Sequence, residues 1–405
     1  MLSHFVEENA SERKGRSRDL LIASILIFNT FSWLYILLML LDATPENLYK
    51  IDTLIFFYIF TSISSVTGAF LSRYIKRLKF LCLWIGLGVI TSFLSVFISI
   101  HEPYLNRTLS SLLGISFGLG VPSCLAYYGD STYIEKRGRV SGLILFATNL
   151  VVFPLSLAFT YFDSSPLIFV LLALWRFSAF IPIFIFKPEL TEIHRSKVNF
   201  GKSIANLLKK RRFFLYLIPW IFFLLIDRFC GAILERPLIE AIFGSFSSLI
   251  AGYLADFFGR KRIVVIGFVF LGIAYGVMGL APNVAVARYF HFVIDGAAAG
   301  ILSVIFILIL WADLSEPGLR EDAYMLGNIL LLPSRILTIL LPFYMIFPPI
   351  NTVFSLASFF LFLAVIPLMY APETLPEKLI RRRELEKYVE KAKKIREKYE
   401  KQKED

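Results

Sequence analysis

Arg288, His291 and Asp295 stand at i, i+3 and i+7 within an apolar run, a spacing that puts all three on one helical face. Asp227 and Arg228 interrupt a second run. Adjacent helical positions diverge by about 100°, so these two cannot share a surface and at least one needs a partner on another helix. In hydrocarbon each such group costs ~2.5–3.5 kcal/mol unless paired or hydrated. The residues therefore mark either a wetted functional site or structural ion pairs, Asp227 with Arg288 at the outer rim for example. Glu240 is open to the same two readings, because Arg236 at i−4 offers it a surface salt bridge. Arg335 falls mid-run, with Asn328 seven residues earlier on the same face. A guanidinium so central snorkels with difficulty and calls for water, an acid or an anionic ligand. Arg176 is equally central, with an interhelical pair as its structural explanation, while Asn149 and Asn29 could bond either a ligand or a neighbouring helix. One His beside one acid is too little for a metal centre or a nucleophile–base pair. No cofactor, metal or catalytic residue is expected.

The elements that must carry these residues follow from composition. The chain is 57% apolar, above the roughly 45–50% of soluble domains. Twelve nearly charge-free windows can each cross about 30 Å of hydrocarbon as a helix: 20–41, 51–71, 80–100, 108–128, 139–162, 166–186, 213–233, 236–255, 263–281, 287–311, 323–347 and 350–370. The fold class expected is an all-α polytopic membrane protein. Residues 1–19 are polar and the run after them is full length, so no cleavable signal is expected. Basic residues gather in alternate connections, at Arg73–Lys79, Lys136–Arg139, 187–212, Arg260–Arg262 and Arg320, and in both termini. The opposite connections hold only Lys50, Arg107, Arg236 and Arg288. Both termini are thus expected in the cytoplasm. The net charge of +11 is accounted for by topology and anionic headgroups, with no nucleic-acid partner implied. Cys82, Cys124 and Cys230 lie in apolar runs as small hydrophobes.

An offset of about 184 residues superimposes landmarks of the two halves: "GAFLSRYIKR" at Gly68 on "GYLADFFGRK" at Gly252, "KPEL" on "APET", and, one residue shorter, Asp130 on Asp313, which lead on to Arg137 and Arg320. The economical division is a cytoplasmic segment 1–19, bundles 20–186 and 213–370, a linker 187–212 and a charged helical tail 371–405. On the loop G-x-x-x-D-x-x-G-R-K and this 6+6 plan the chain resembles the major facilitator superfamily, with weaker sugar-porter-like Pro-Glu endings and no Gln-Gln pair in the seventh span.

Within that loop Gly252 permits close helix approach, Gly259 a reverse turn, and Arg260, Lys261 and Arg262 stay out of hydrocarbon. Asp256 can pair with these cations or face the amino end of a neighbouring helix. The resemblance implies the second, as a latch that closes the cytoplasmic side in one state; a turn that only fixes topology is the alternative. Ser72 and Lys76 replace the acid and the turn glycine in the amino half, which speaks against a symmetrical latch.

The resemblance also implies that spans seven and ten line a central cavity. It makes Asp227 and Asp295 candidates for proton coupling and His291 a relay or substrate donor. No Walker-type motif is present. The expected function is a secondary active transporter of the cytoplasmic membrane, moving a small solute by alternating access, a monomer partnered by substrate, protons and the lipid bilayer. A membrane-embedded receptor or an intramembrane enzyme on the same scaffold is the competing class. The intramembrane arginines tilt the substrate towards an anion or a polyhydroxyl compound.

Overall fold

A computed structural model describes residues 2–42, 48–97, 103–159, 166–186, 188, 199–234, 237–346 and 348–377, with scattered positions of the tail. Most of the linker and of the tail helix expected over 371–405 lies outside the described residues. Among the described residues there is no strand, and eleven helices are long and apolar enough to cross a membrane. The chain is a multi-pass membrane protein.

Spans 1–6 are Leu2–Asp42, Leu48–Leu71, Arg77–Leu94, Pro103–Gly118 with Val121–Ser131, Arg137–Phe159, and Pro166–Phe177 with Phe180–Phe186. Spans 7–10 are Arg211–Gly231, Leu238–Phe258, Arg260–Leu280, and Ala285–Ser303 continued by Val304–Ile309 and Leu310–Leu314. Span 12 is Ile350–Leu363 with Val365–Tyr370, and a linker helix occupies Phe200–Lys209. The first helix runs on through the polar amino segment, so the boundary read at residue 20 is one of polarity and not of helix. The largest departure from expectation is span 11. In place of one helix over 323–347 there are two, Arg320–Asn328 and Arg335–Tyr344, separated by 329–334. Pro333 has no N–H to give, and its ring collides with the carbonyl four residues back.

The packing follows the internal repeat. Span 2 lies on span 4 as span 8 lies on span 10, and span 3 on span 6 as span 9 on span 12. The two six-helix bundles meet where span 5 crosses span 8 and span 2 crosses span 11. Outside, Leu83, Ile90, Leu143, Leu150, Leu171 and Phe184 are each more than half exposed, a girdle that only lipid can cover.

Three spans lose regular α geometry where they meet one another. Span 4 breaks at Leu119–Gly120, span 10 turns π-helical over Val304–Ile309, and span 11 unwinds after Asn328. The offset that relates Asp130 to Asp313 carries Gly120 onto Ser303, the residue before the π-helical turn, so the first two are the same feature in each half. The freed carbonyls find donors: Trp84 Nε1 on Ser116 O at 2.6 Å, the Tyr324 hydroxyl on Leu308 O at 2.5 Å, Trp220 Nε1 on Gly327 O at 2.8 Å and Ser62 Oγ on Ile329 O at 3.3 Å. Irregular backbone survives at membrane depth only under such conditions.

Candidate functional site

Two places carry the candidate residues. The first is the Lys/Arg-rich end, where Asp130 and Asp313 each join two arginines. Asp313 holds Arg260 of its own half, Nε to Oδ2 at 3.0 Å, and Arg137 of the other. Asp130 holds Arg77 of its own half, Nη1 to Oδ2 at 2.7 Å, and Arg320 of the other. One offset along the chain carries every member of the first triad onto its counterpart in the second, so the arrangement obeys the internal repeat. The side chains of Asp313 and Arg260 are fully buried. Burial on this scale makes each acid indispensable to the cations it neutralises.

Asp256 sits beside the triad of Asp313 and takes the amino end of span 5. Its Oδ1 accepts the Gly138 N–H and its Oδ2 the Arg139 N–H, both at 2.9 Å, where the unsatisfied amides of a helix start favour an anion. Arg260 reaches the same carboxylate at 3.2 Å. Gly252, one turn earlier, lets spans 5 and 8 touch: a Cβ there would stand 2.3 Å from Gly138 O. Gly259 has φ 97°, left-handed geometry that an L side chain resists. The N–H groups of Arg260 and Lys261 that follow are capped by Glu373, at 2.8 and 3.1 Å. Glu189, its counterpart in "KPEL", lies outside the described residues. At the site related to Asp256 the polarity reverses, with Ser72 donating to Glu321 Oε2 at 2.5 Å. Glu321 also meets Arg77 at 3.3 Å.

Asp322, next in sequence and ahead of the apolar run, joins Arg73 of the turn after span 2 and Ser203 of the linker helix. Burial raises its carboxyl above its ordinary value, against the hydrogen bond from Ser203 and the charge of Arg73. Among the described residues five ion pairs thus bridge the halves at this end. Sequence alone does not single out Asp130, Asp313, Arg77, Arg137, Arg320, Glu321 or Asp322 as site residues. A signal is nonetheless present, since the spacing that relates Asp130 to Asp313 also relates Arg77 to Arg260 and Arg137 to Arg320.

The second place is the middle of the molecule. A cavity of about 40 Å³ lies between the halves, walled by Phe31 and Leu34 of span 1, Thr61, Ser62 and Ser65 of span 2, Phe117, Gly118, Val121, Pro122 and Leu125 of span 4, Ile307 in the π-helical turn, and Tyr324, Asn328, Ile329 and Leu331 to Pro333 of span 11. Of the candidates, only Asn328 lines it.

Glu240, His291 and Asp295 come together elsewhere, around a small pocket inside the carboxyl half with Cys230, Tyr275 and Phe354. All three are buried, and His291 Nδ1 lies 3.3 Å from Ala274 O. Arg288 does not share their surroundings: it is exposed at the start of its helix. Asp227 and Arg228 also depart from expectation, because adjacent side chains fold back to an Nη1–Oδ2 distance of 3.4 Å; helical divergence of Cβ vectors does not bind the tip of a long arginine. Arg335 is half-buried at the head of the second piece of span 11, away from the cavity wall. Asn149 is half-buried in span 5 and lines neither space. Arg176 is fully buried within the amino half, bonded to Asn29 Oδ1 at 3.1 Å and Thr30 Oγ1 at 2.9 Å, with its guanidinium 4.3 Å from the Trp84 ring. It serves packing of spans 1, 3 and 6 and not a cavity. Among the described residues no three His, Cys, Asp or Glu are placed to hold a metal.

This architecture, two like bundles around a cavity with paired charges at one end, is the major facilitator superfamily fold. The proton:xylose symporter XylE bound to 6-bromo-6-deoxy-D-glucose matches at a TM-score of 0.66 and 13% identity, over 89% of this chain and 97% of that one. A bacterial homologue of the iron transporter ferroportin in an outward-facing state matches at 0.64 and 16%, over 88% and 99%. The human organic anion transporter MFSD10 matches at 0.62 and 12%, over 87% and 99%. Identities this low speak of fold. No family model and no curated protein matches the sequence.

Proposed function

We propose that the chain is a secondary transporter that exposes its central cavity alternately to the two sides of the membrane, with the basic end and both termini in the cytoplasm of a plasma membrane. The observation that carries this reading is the pair of symmetry-related triads. They join the halves on one side of a cavity that both halves build, so breaking them is what rocking the bundles apart at that end requires. The similar solved structures transport a sugar, an organic anion and iron by their names, which supports transport without selecting a solute. A monomer suffices, because one chain contains both bundles.

Coupling to protons we place at the Glu240–His291–Asp295 pocket, where an imidazole and two carboxylates, all ionisable groups, are enclosed together. Uptake into proteoliposomes with and without an imposed pH gradient tests both statements. Asp295→Asn is expected to abolish stimulation by the gradient while leaving solute exchange intact; gradient-driven uptake that survives the change removes Asp295 from coupling. Asp256→Asn, which strips charge from the cap on span 5 and from the contact with Arg260, is expected to lower the transport rate about ten- to a hundredfold, the value of one charge-assisted hydrogen bond of ~1.5–3 kcal/mol. Normal flux from that variant would leave Asp256 a turn-former and nothing more.

A further inference from the structure

Around the central cavity the polar groups are largely satisfied by the protein itself. The carbonyls released by the irregular turns have donors, the Thr61 hydroxyl bonds Phe57 O at 2.7 Å in its own helix, and the Tyr324 hydroxyl donates to Leu308 O. Among the buried side-chain polar atoms that border it, those of Asn328 are the exception. Both Nδ2 and Oδ1 of its carboxamide are buried without a hydrogen-bond partner, and the residue lines the cavity where span 11 comes apart. An unpartnered buried amide costs free energy that no neighbour here offsets. Such a group at the break of a discontinuous helix, facing a space shared by both halves, is placed for a ligand.

We infer that the cavity takes an uncharged molecule with an apolar body and one edge carrying a donor next to an acceptor, an amide or lactam, held by two hydrogen bonds to the Asn328 carboxamide. The inference rests on the transport reading above. Among the described residues no charged side chain lines the cavity, so an organic anion or cation would enter without a counter-charge and lose its hydration uncompensated. A polyhydroxyl solute fares little better, since most of its hydroxyls would face Phe31, Leu34, Phe117 and Leu332. This departs from the anionic or polyhydroxyl substrate that the intramembrane arginines suggest by sequence, because none of those arginines reaches the cavity.

Benzamide, benzoate and glucose separate the possibilities, the first two differing almost only in charge and in the donor they offer. With purified full-length protein in nanodiscs, benzamide is expected to bind saturably by calorimetry and to raise the thermal transition, while benzoate and glucose do neither. Asn328→Leu is expected to weaken benzamide at least tenfold and, by removing the unpartnered amide, to leave the unliganded protein as stable as before or more so. Should the leucine disturb folding, Asn328→Ser provides the same comparison. Binding of benzoate or glucose in preference to benzamide, equal binding of benzamide by the variants, or no binding of any of the three overturns the inference. Counterflow in proteoliposomes keeps the two proposals apart: flux of a sugar or anion with no benzamide binding leaves transport standing and sinks the amide site, whereas benzamide binding with no flux of benzamide sinks transport and leaves the site.

Discussion

Asp313→Asn is expected to reduce transport by two to three powers of ten while protein still inserts and purifies. The charge removed is the one that holds Arg137, 2% exposed, and Arg260, fully buried. Taking one partner from a buried pair costs about 3–5 kcal/mol, because the other charge stays behind without compensation. A tenfold change in an equilibrium corresponds to about 1.4 kcal/mol. The cost falls on the arrangement in which the basic ends touch, so that arrangement is depopulated. Spin labels on Tyr74→Cys and Glu316→Cys, exposed positions of opposite halves, in a background without Cys82, Cys124 and Cys230, should report a longer distance in the variant. A distance distribution identical to that of the parent protein would show that the triad is scaffold and not gate. Adding Arg137→Gln should recover much of the loss, since Arg260 still has Asp256 at 3.2 Å and no buried arginine is then left alone. Asp130→Asn should repeat the effect through Arg77 and Arg320, as the repeat demands.

What can be read from sequence divides along a physical line. The spans, the doubled plan and the resemblance are legible because hydropathy is a property of each residue and its near neighbours, and lipid imposes it on every crossing. The turn at Gly259 is legible for the same reason: it is local chemistry. Contacts between halves are pairwise, and no window contains them. Arg77, Asp130, Arg137 and Asp313 look like ordinary loop-edge charges until the fold brings them together. The repeat nonetheless encodes them, since residues that pair in one half must have related residues that pair in the other. Span 11 misleads for a different reason. Positions 323–347 are apolar enough to cross as one helix, and hydropathy is blind to the carbonyl that Pro333 evicts. Arg288 misleads because a shared helical face fixes where a Cβ points and leaves a long side chain at a helix start free to turn outward. The acids of spans 8 and 10 can be recognised one by one, but their enclosure within a single half, apart from the central cavity, follows from packing alone.

The two related glycines of the repeated motif make the sharpest mutational contrast in the molecule. Gly252 and Gly68 align in the repeated motif, one residue out of step with the offset that relates the triads, and they touch different things. A Cβ on Gly252 would lie 2.3 Å from Gly138 O and 2.9 Å from Gly142 Cα, backbone of the other half. A Cβ on Gly68 would lie 1.8 Å from Leu119 O, backbone of its own half. Neither backbone can yield as a side chain would, so in each case a helix must move. For Gly252→Leu the movement is the opening of spans 5 and 8, and it also lifts the amides of Gly138 and Arg139 from Asp256 one turn below. The bundles themselves stay intact. The expected result is a folded, inserted protein whose thermal transition changes by a few degrees, whose basic ends stay apart by the same spin-label pair, and whose flux falls about a hundredfold. For Gly68→Leu the movement separates spans 2 and 4 inside one bundle, where overpacking costs roughly 1–3 kcal/mol or more. Here the loss should appear as poor insertion yield and a lowered thermal transition, with flux per folded molecule far less affected. If Gly252→Leu instead fails to fold while Gly68→Leu folds and stalls, the seam between the moving parts runs between spans 2 and 4, and the division of the molecule into two rocking halves at spans 5 and 8 is wrong.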